Sequence, residues 1–115
     1  IKQGSLTASS DGSFAAATVN GVYPGYTATV ARNSAVSVAV TGTPVSTSYT
    51  RATVTVLLNG YVQTSEIVPL TGGNFTRTYP VTVSADAYIH VEISYGVGGS
   101  PLGYCFVNPV FIHTY

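Results

Sequence analysis

Charge is what this sequence has least of. Its 115 residues include four Lys or Arg and four Asp or Glu, 7% in all, and they cancel. An ordinary soluble domain carries about 25% charged residues. The scarcity excludes classes of partner. Lys2, Arg32, Arg51 and Arg77 are scattered along the chain, whereas phosphate backbones are held by clustered cations that release counterions. No nucleic acid is expected. Neutrality also removes the repulsion that keeps protein monomers apart.

Cysteine, methionine and tryptophan are scarce too: one Cys, no Met, no Trp. A lone cysteine allows no intrachain disulfide, so a small exported fold would draw stability from elsewhere, oligomerisation being one source. No apolar run approaches the roughly 20 residues of a membrane span. The chain begins at Ile1 and has no Met, as a processed, exported protein would. The expected location is extracellular, on a cell surface or in a virion.

Helical spacing is also missing. What is present is alternation. "SAVSVAVT" sets Val36, Val38 and Val40 on one face, and "RATVTVLL" does the same with Val54, Val56 and Leu58. In "FTRTYPVTV", Phe75, Arg77, Tyr79, Val81 and Val83 oppose a Thr-rich face. "AYIHVEISY" sets Ala87, Ile89, Val91, Ile93 and Tyr95 inward, with Tyr88, His90, Glu92 and Ser94 outward. Period two in runs rich in Val, Thr and Tyr is the half-buried strand pattern. Asn59-Gly60 between two such runs is the strongest short hairpin signal, because both turn positions need φ > 0. Asp11-Gly12, Asn20-Gly21, Pro24-Gly25 and Gly72-Gly73-Asn74 punctuate other runs.

Strands are expected at about residues 13–19, 26–31, 34–41, 51–58, 61–68, 75–83, 87–95 and 104–114. Such spacing predicts an all-β fold: a single antiparallel β-sandwich, jelly-roll or Ig-like, of seven to eight strands. Residues 1–13 read as an N-terminal arm or edge segment, and 14–115 as the sandwich domain. Residues 96–103 read as a flexible Gly-rich loop. Pro80 and Pro109 each remove a ladder donor, so each predicts an edge or a bulge.

Catalytic chemistry finds little footing. Cys105 with His90 or His113 and Asp86 could be imagined as a nucleophilic set. Yet Cys105 sits between Tyr104 and Phe106 with no cation near it in sequence, and a reactive thiol needs an electropositive setting. Cys105 therefore reads as a small core residue; pairing with another chain's cysteine is the other option. Glu66 and Glu92 would have to meet across a cleft to act as a glycosidase pair. His90-x-Glu92 shares a strand face but is short of the three or four protein ligands zinc needs. No catalytic residue, metal ligand or cofactor site is assigned.

Nine tyrosines remain. Tyr23, Tyr26, Tyr49, Tyr61 and Tyr88 fall outside the predicted core. Exposed tyrosine suits protein interfaces and sugar-binding faces alike, with Tyr61 and Tyr88 the candidates for facing a glycan. Asn74-Phe75-Thr76 is the one N-x-[ST] triplet, which makes Asn74 a possible glycosylation acceptor. In the 51–68 hairpin, Ser and Thr alternate with aliphatics, as in pore-forming hairpins, but any sandwich demands the same pattern.

Short Thr/Val strands and low charge resemble, in composition and pattern, subunits of extracellular filaments or virion coats built from β-sandwiches. The expectation is a non-enzymatic structural subunit that assembles with copies of itself by β-strand addition. The alternative is a secreted carbohydrate-binding module or lectin. Expected donors are the N-terminal arm and the C-terminal strand. The expected interface residues are Leu6, Phe14, Val19, Val22, Phe106, Val110, Ile112 and Tyr115.

Overall fold

The alternating runs become strands wherever one set of side chains can be buried. A computed structural model describes residues 7–10, 13–71, 73–98 and 100–115. Within them lie β1 (Thr7–Ser9), β2 (Phe14–Val19), β3 (Thr27–Val30), β4 (Ser34–Thr43), β5 (Arg51–Leu58), β6 (Tyr61–Pro69), β7 (Phe75–Val83), β8 (Ala87–Val97), β9 (Ser100–Val107) and β10 (Val110–Thr114). Ten strands replace the expected seven to eight. One addition is β1, which pairs antiparallel with β9, Ala8 opposite Phe106. The other arises because the expected last strand is divided.

That division has a local cause. Phe106 stands opposite Glu92 on β8, and Val110 stands opposite Ile89. Four residues on one strand thus oppose three on the other, which is a bulge centred on Asn108-Pro109. Pro109 cannot donate to a ladder, and the bulge is where the ladder does not need it. Pro80 takes the other permitted place, on the edge strand β7, opposite Ser37 of β4.

The strands form two sheets. The larger has seven strands: β6, β5 and β8 run side by side, and β9 and β10 divide the far flank of β8 between them. β1 then lies beside β9, and β3 lies beside β10. The smaller sheet has the order β2-β4-β7. β3 and β10 run parallel, Phe111 opposite Thr27, so the pairing is mixed rather than wholly antiparallel. The chain is all-β in two sheets, an arrangement compatible with a β-sandwich.

Turn chemistry decides the hairpins. Asn59 and Gly60 both have positive φ, 52° and 83°, and Leu58 pairs with Tyr61 across them. Asn20 and Gly21 repeat the device at 50° and 81°, with Val19 and Val22 exchanging two backbone hydrogen bonds. The stretch expected to be a loop, 96–103, is largely strand. β8 runs on to Val97, and β9 starts at Ser100, its partner. Arg51 anchors this end: its Nε donates to the Gly98 carbonyl and its Nη1 to Thr53 Oγ1 at 3.0 Å.

One core lies between the sheets. Val36, Val38 and Val40 of β4 and Val81 and Val83 of β7 come from the smaller sheet. Val54, Val56, Ile89, Val91, Ile93 and Tyr95 come from the larger. Each aliphatic side chain of this kind contributes on the order of 1.5–3 kcal/mol when fully buried. Tyr95 is the largest fully buried residue. Its ring stacks on Tyr49 and meets Phe75 edge-on, with centroids 6.0 and 6.4 Å away. Its hydroxyl donates to the Phe14 carbonyl at 2.9 Å, tying β8 of the larger sheet to β2 of the smaller. Tyr49, expected outside the core, is buried by this stack.

Candidate functional site

Register decides which side chains share a surface, since residues directly opposite in a ladder point the same way. On the larger sheet, Ala52, Val54 and Val56 face the core, so Thr53, Thr55 and Leu57 face outward. Glu92 pairs with Thr55, and Ser94 pairs with Thr53. Phe106 and Tyr104 continue those two rows on β9, and Phe111 stands opposite Tyr88. The outer face therefore gathers Tyr88, Tyr104, Phe106 and Phe111, each between 39% and 47% exposed. His90 stacks on Tyr88, with centroids 6.3 Å apart, and its Nε2 lies 3.1 Å from Glu92 Oε2. The His90–Glu92 pair shares a face as the spacing required.

The bulge reassigns the closing stretch. Phe106, Val110 and Ile112 fall on one parity in the sequence and were expected to act together. Phe106 instead faces out, while Val110 and Ile112 are core residues, because the extra residue at Asn108-Pro109 inverts the alternation. Val19 is likewise core, and Val22 is half-buried against it. Phe14 and Tyr115 are exposed. Leu6 lies outside the described residues, as does most of the 1–13 arm. The C-terminal strand, an expected donor, is engaged on both sides within its own sheet, with β8 on one flank and β1 or β3 on the other.

Tyr61 and Tyr88 do not make a common platform. Tyr61 pairs with Leu58 on the core-facing side at the turn end of the hairpin, and Tyr88 pairs with Phe111 on the outer face. Asn74 is exposed just before β7. Glu66 and Glu92 are separated in the same way. Glu66 stands opposite Val54 on the core-facing side, and Glu92 stands opposite Thr55 on the outer side. Cys105 is fully buried, its thiol donating to the Ser13 carbonyl at 3.2 Å. His90 and His113 both project from the opposite face of that sheet. Among the described residues, no three His, Cys, Asp or Glu side chains cluster as metal ligands. No helix there is long and apolar enough to cross a membrane.

Two more features complete the surface. Beside β2 lies an apolar groove of about 210 Å³, walled by Phe14, Ala16, Thr18, Tyr23 and Pro24, with Val107 also lining it. At the other side of the molecule is β6, the most exposed of the long strands. Its single acid, Glu66, turns toward the smaller sheet. There it accepts a hydrogen bond from the Tyr79 hydroxyl at 2.7 Å and lies 3.5 Å from Arg77 Nε. Burial, then the Glu66 hydrogen bond and charge, push the Tyr79 hydroxyl well above the usual tyrosine range.

Near the C-terminus, Asp86 Oδ1 accepts from the Thr114 amide and hydroxyl at 2.7 and 3.0 Å. Its other oxygen is 3.4 Å from His113 Nδ1. The Thr114 hydrogen bonds, helped by His113, hold the Asp86 carboxyl below the usual carboxylate range. These groups fasten β10 and do not form a cleft. Comparison with protein families, curated proteins and solved structures finds no match for this chain.

Proposed function

We propose that the chain is a non-enzymatic structural subunit that associates with copies of itself, by β-strand addition, into an extracellular or surface filament, appendage or virion shell. The observation that carries this reading is the exposed aromatic set on the outer face of β8, β9 and β10. Tyr88, Tyr104, Phe106 and Phe111 stand together on a chain with no net charge. Large apolar surface of this kind marks interaction sites, and aromatic residues are enriched in interface cores. Neutral subunits can crowd without repulsion.

The fold supports the same reading. Of the jelly-roll and Ig-like alternatives, the strand order favours the Ig-like. The β2-β4-β7 sheet corresponds to strands A, B and E of that fold. The run β6-β5-β8-β9 corresponds to C′, C, F and G. Such sandwiches leave sheet edges at which an added strand can continue the ladder.

Sedimentation equilibrium from micromolar to millimolar protein, with negative-stain microscopy of the concentrated sample, tests the proposal. Concentration-dependent association that weakens in Phe106→Ser/Phe111→Ser is expected. A monomer across the whole range would overturn the proposal.

A further inference from the structure

We infer that β6 is the edge at which the strand is added, and that its partner is β6 of a second copy, antiparallel about a two-fold axis near Ser65. The inference rests on the self-association reading and adds an isologous contact at β6 to the outer-face contact of Phe106 and Phe111, since a two-fold contact alone closes at a dimer.

The sheets leave five edge strands: β1, β3 and β6 on the larger sheet, β2 and β7 on the smaller. β1 and β3 have three and four residues, so each offers an added strand only a short ladder. β2 ends in its own Val19–Val22 bridge. β7 carries Pro80 in its middle, and proline cannot donate. β6 has nine residues and no proline until its last, Pro69.

The free side of β6 is chemically prepared for a strand. The Leu70 amide donates to the Thr50 carbonyl at 2.9 Å, which fixes the phase of the β5–β6 ladder. In an antiparallel pair, hydrogen-bonded and non-hydrogen-bonded pairs alternate. Val68 and Glu66 therefore bond inward to β5, whereas Ile67 and Ser65 direct their N–H and C=O away from it. Pro69 falls on the outward phase, so its missing N–H spares the β5–β6 ladder and removes a donor only at the very end of the free edge.

The usual protections of an edge are charged side chains, especially Lys, proline and bulges. β6 has no Lys, and its one charge is drawn toward Tyr79 and Arg77. It carries one irregularity, the register shift opposite Val56/Leu57. Tyr61, Val62 and Ile67 are 76%, 62% and 66% exposed.

A second copy is the occupant these features describe. A strand edge of one phase is complementary to itself when reversed, which gives an isologous two-fold contact. An axis near Ser65 sets Ile67 of each copy against the Val62–Gln63 end of the other. Glu66 of each copy falls on the core-facing side, diagonally across the axis from the other, where its own Tyr79 and Arg77 hold the carboxylate.

The test uses Ser65→Cys, whose new thiol is the one reactive group because Cys105 is fully buried. At concentrations where the wild type associates, a short bis-maleimide should join two copies through residue 65. Thr78→Cys, exposed on β7, should give little dimer. Val62→Lys/Ile67→Lys should weaken association at least tenfold while the circular dichroism spectrum stays that of the wild type. If the wild type associates but Ser65→Cys does not cross-link and the Lys pair changes nothing, the β6 pairing is wrong and self-association stands. If the wild type is monomeric throughout, both fall together.

Discussion

The Tyr79 hydroxyl donates to the Glu66 carboxylate at 2.7 Å, joining an edge strand of one sheet to an edge strand of the other. A hydrogen bond to a charged group is worth about 1.5–3 kcal/mol. Tyr79→Phe removes the donor and leaves Arg77 beside Glu66, so a loss of about 1–2 kcal/mol is expected in urea unfolding. The raised Tyr79 pKa means that the folded state holds this proton more tightly than the unfolded chain does. Its stabilisation is complete below the ordinary tyrosine value of about 10 and declines as pH rises above it. Tyr79→Phe should flatten that alkaline decline; an unchanged slope would show that the link does not matter.

Asp86 works in the opposite direction. Its carboxyl is depressed by the Thr114 hydrogen bonds and by His113, so its contribution is present above the ordinary carboxylate value and lost as pH falls through the lower folded one. The Thr114 amide resonance should therefore titrate with a midpoint below the ordinary carboxylate value. Asp86→Asn, which keeps an acceptor oxygen, should abolish that titration. A wild-type midpoint at or above the ordinary carboxylate value would refute the assignment.

Gly42 of β4 lies beneath the Phe75 ring and the Tyr95 hydroxyl, leaving no room for a Cβ. Gly42→Ala should displace the ring that meets Tyr95 edge-on. Overpacking of this kind costs about 1–3 kcal/mol. Thermal unfolding of the variant checks it, and an unchanged midpoint would mean that the aromatic stack yields freely.

Cys105 should be inert toward a thiol reagent in the native state. It is fully buried with its Sγ–H directed at Ser13, so labelling must wait for the core to open. Reaction with a chromogenic disulfide should track unfolding in increasing urea. Prompt stoichiometric labelling without denaturant would contradict the burial.

Most strands were legible because alternation is a local signal. The faces of β4, β7 and β8 match residue for residue, and Asn59-Gly60 turns as its chemistry requires. Register was not legible. Whether Tyr61 and Tyr88 share a face depends on how β5 and β8 are phased against their neighbours, which no single run encodes. The Asn108-Pro109 bulge shows the same limit on a smaller scale. Pro109 announced an irregularity, but which of Phe106 and Val110 would turn outward depended on the partner strand. Tyr49 was missed for a related reason: a tyrosine in an irregular segment has no periodicity to declare it buried. The division of β9 from β10 between two neighbours, one antiparallel and one parallel, is set by tertiary pairing alone.

The exposure of β6 has a consequence for how the sequence can vary. Val62, Gln63, Ser65 and Ile67 are exposed and take little part in the core, so their identities can drift at small cost to folding. Val54, Val56 and Val68, which hold the hairpin in place, are buried and are not free in this way. Under the proposed β6 pairing, fold and partner choice are written in different letters of the same hairpin. With that pairing, a lineage could change which copies recognise each other while keeping the architecture that presents them.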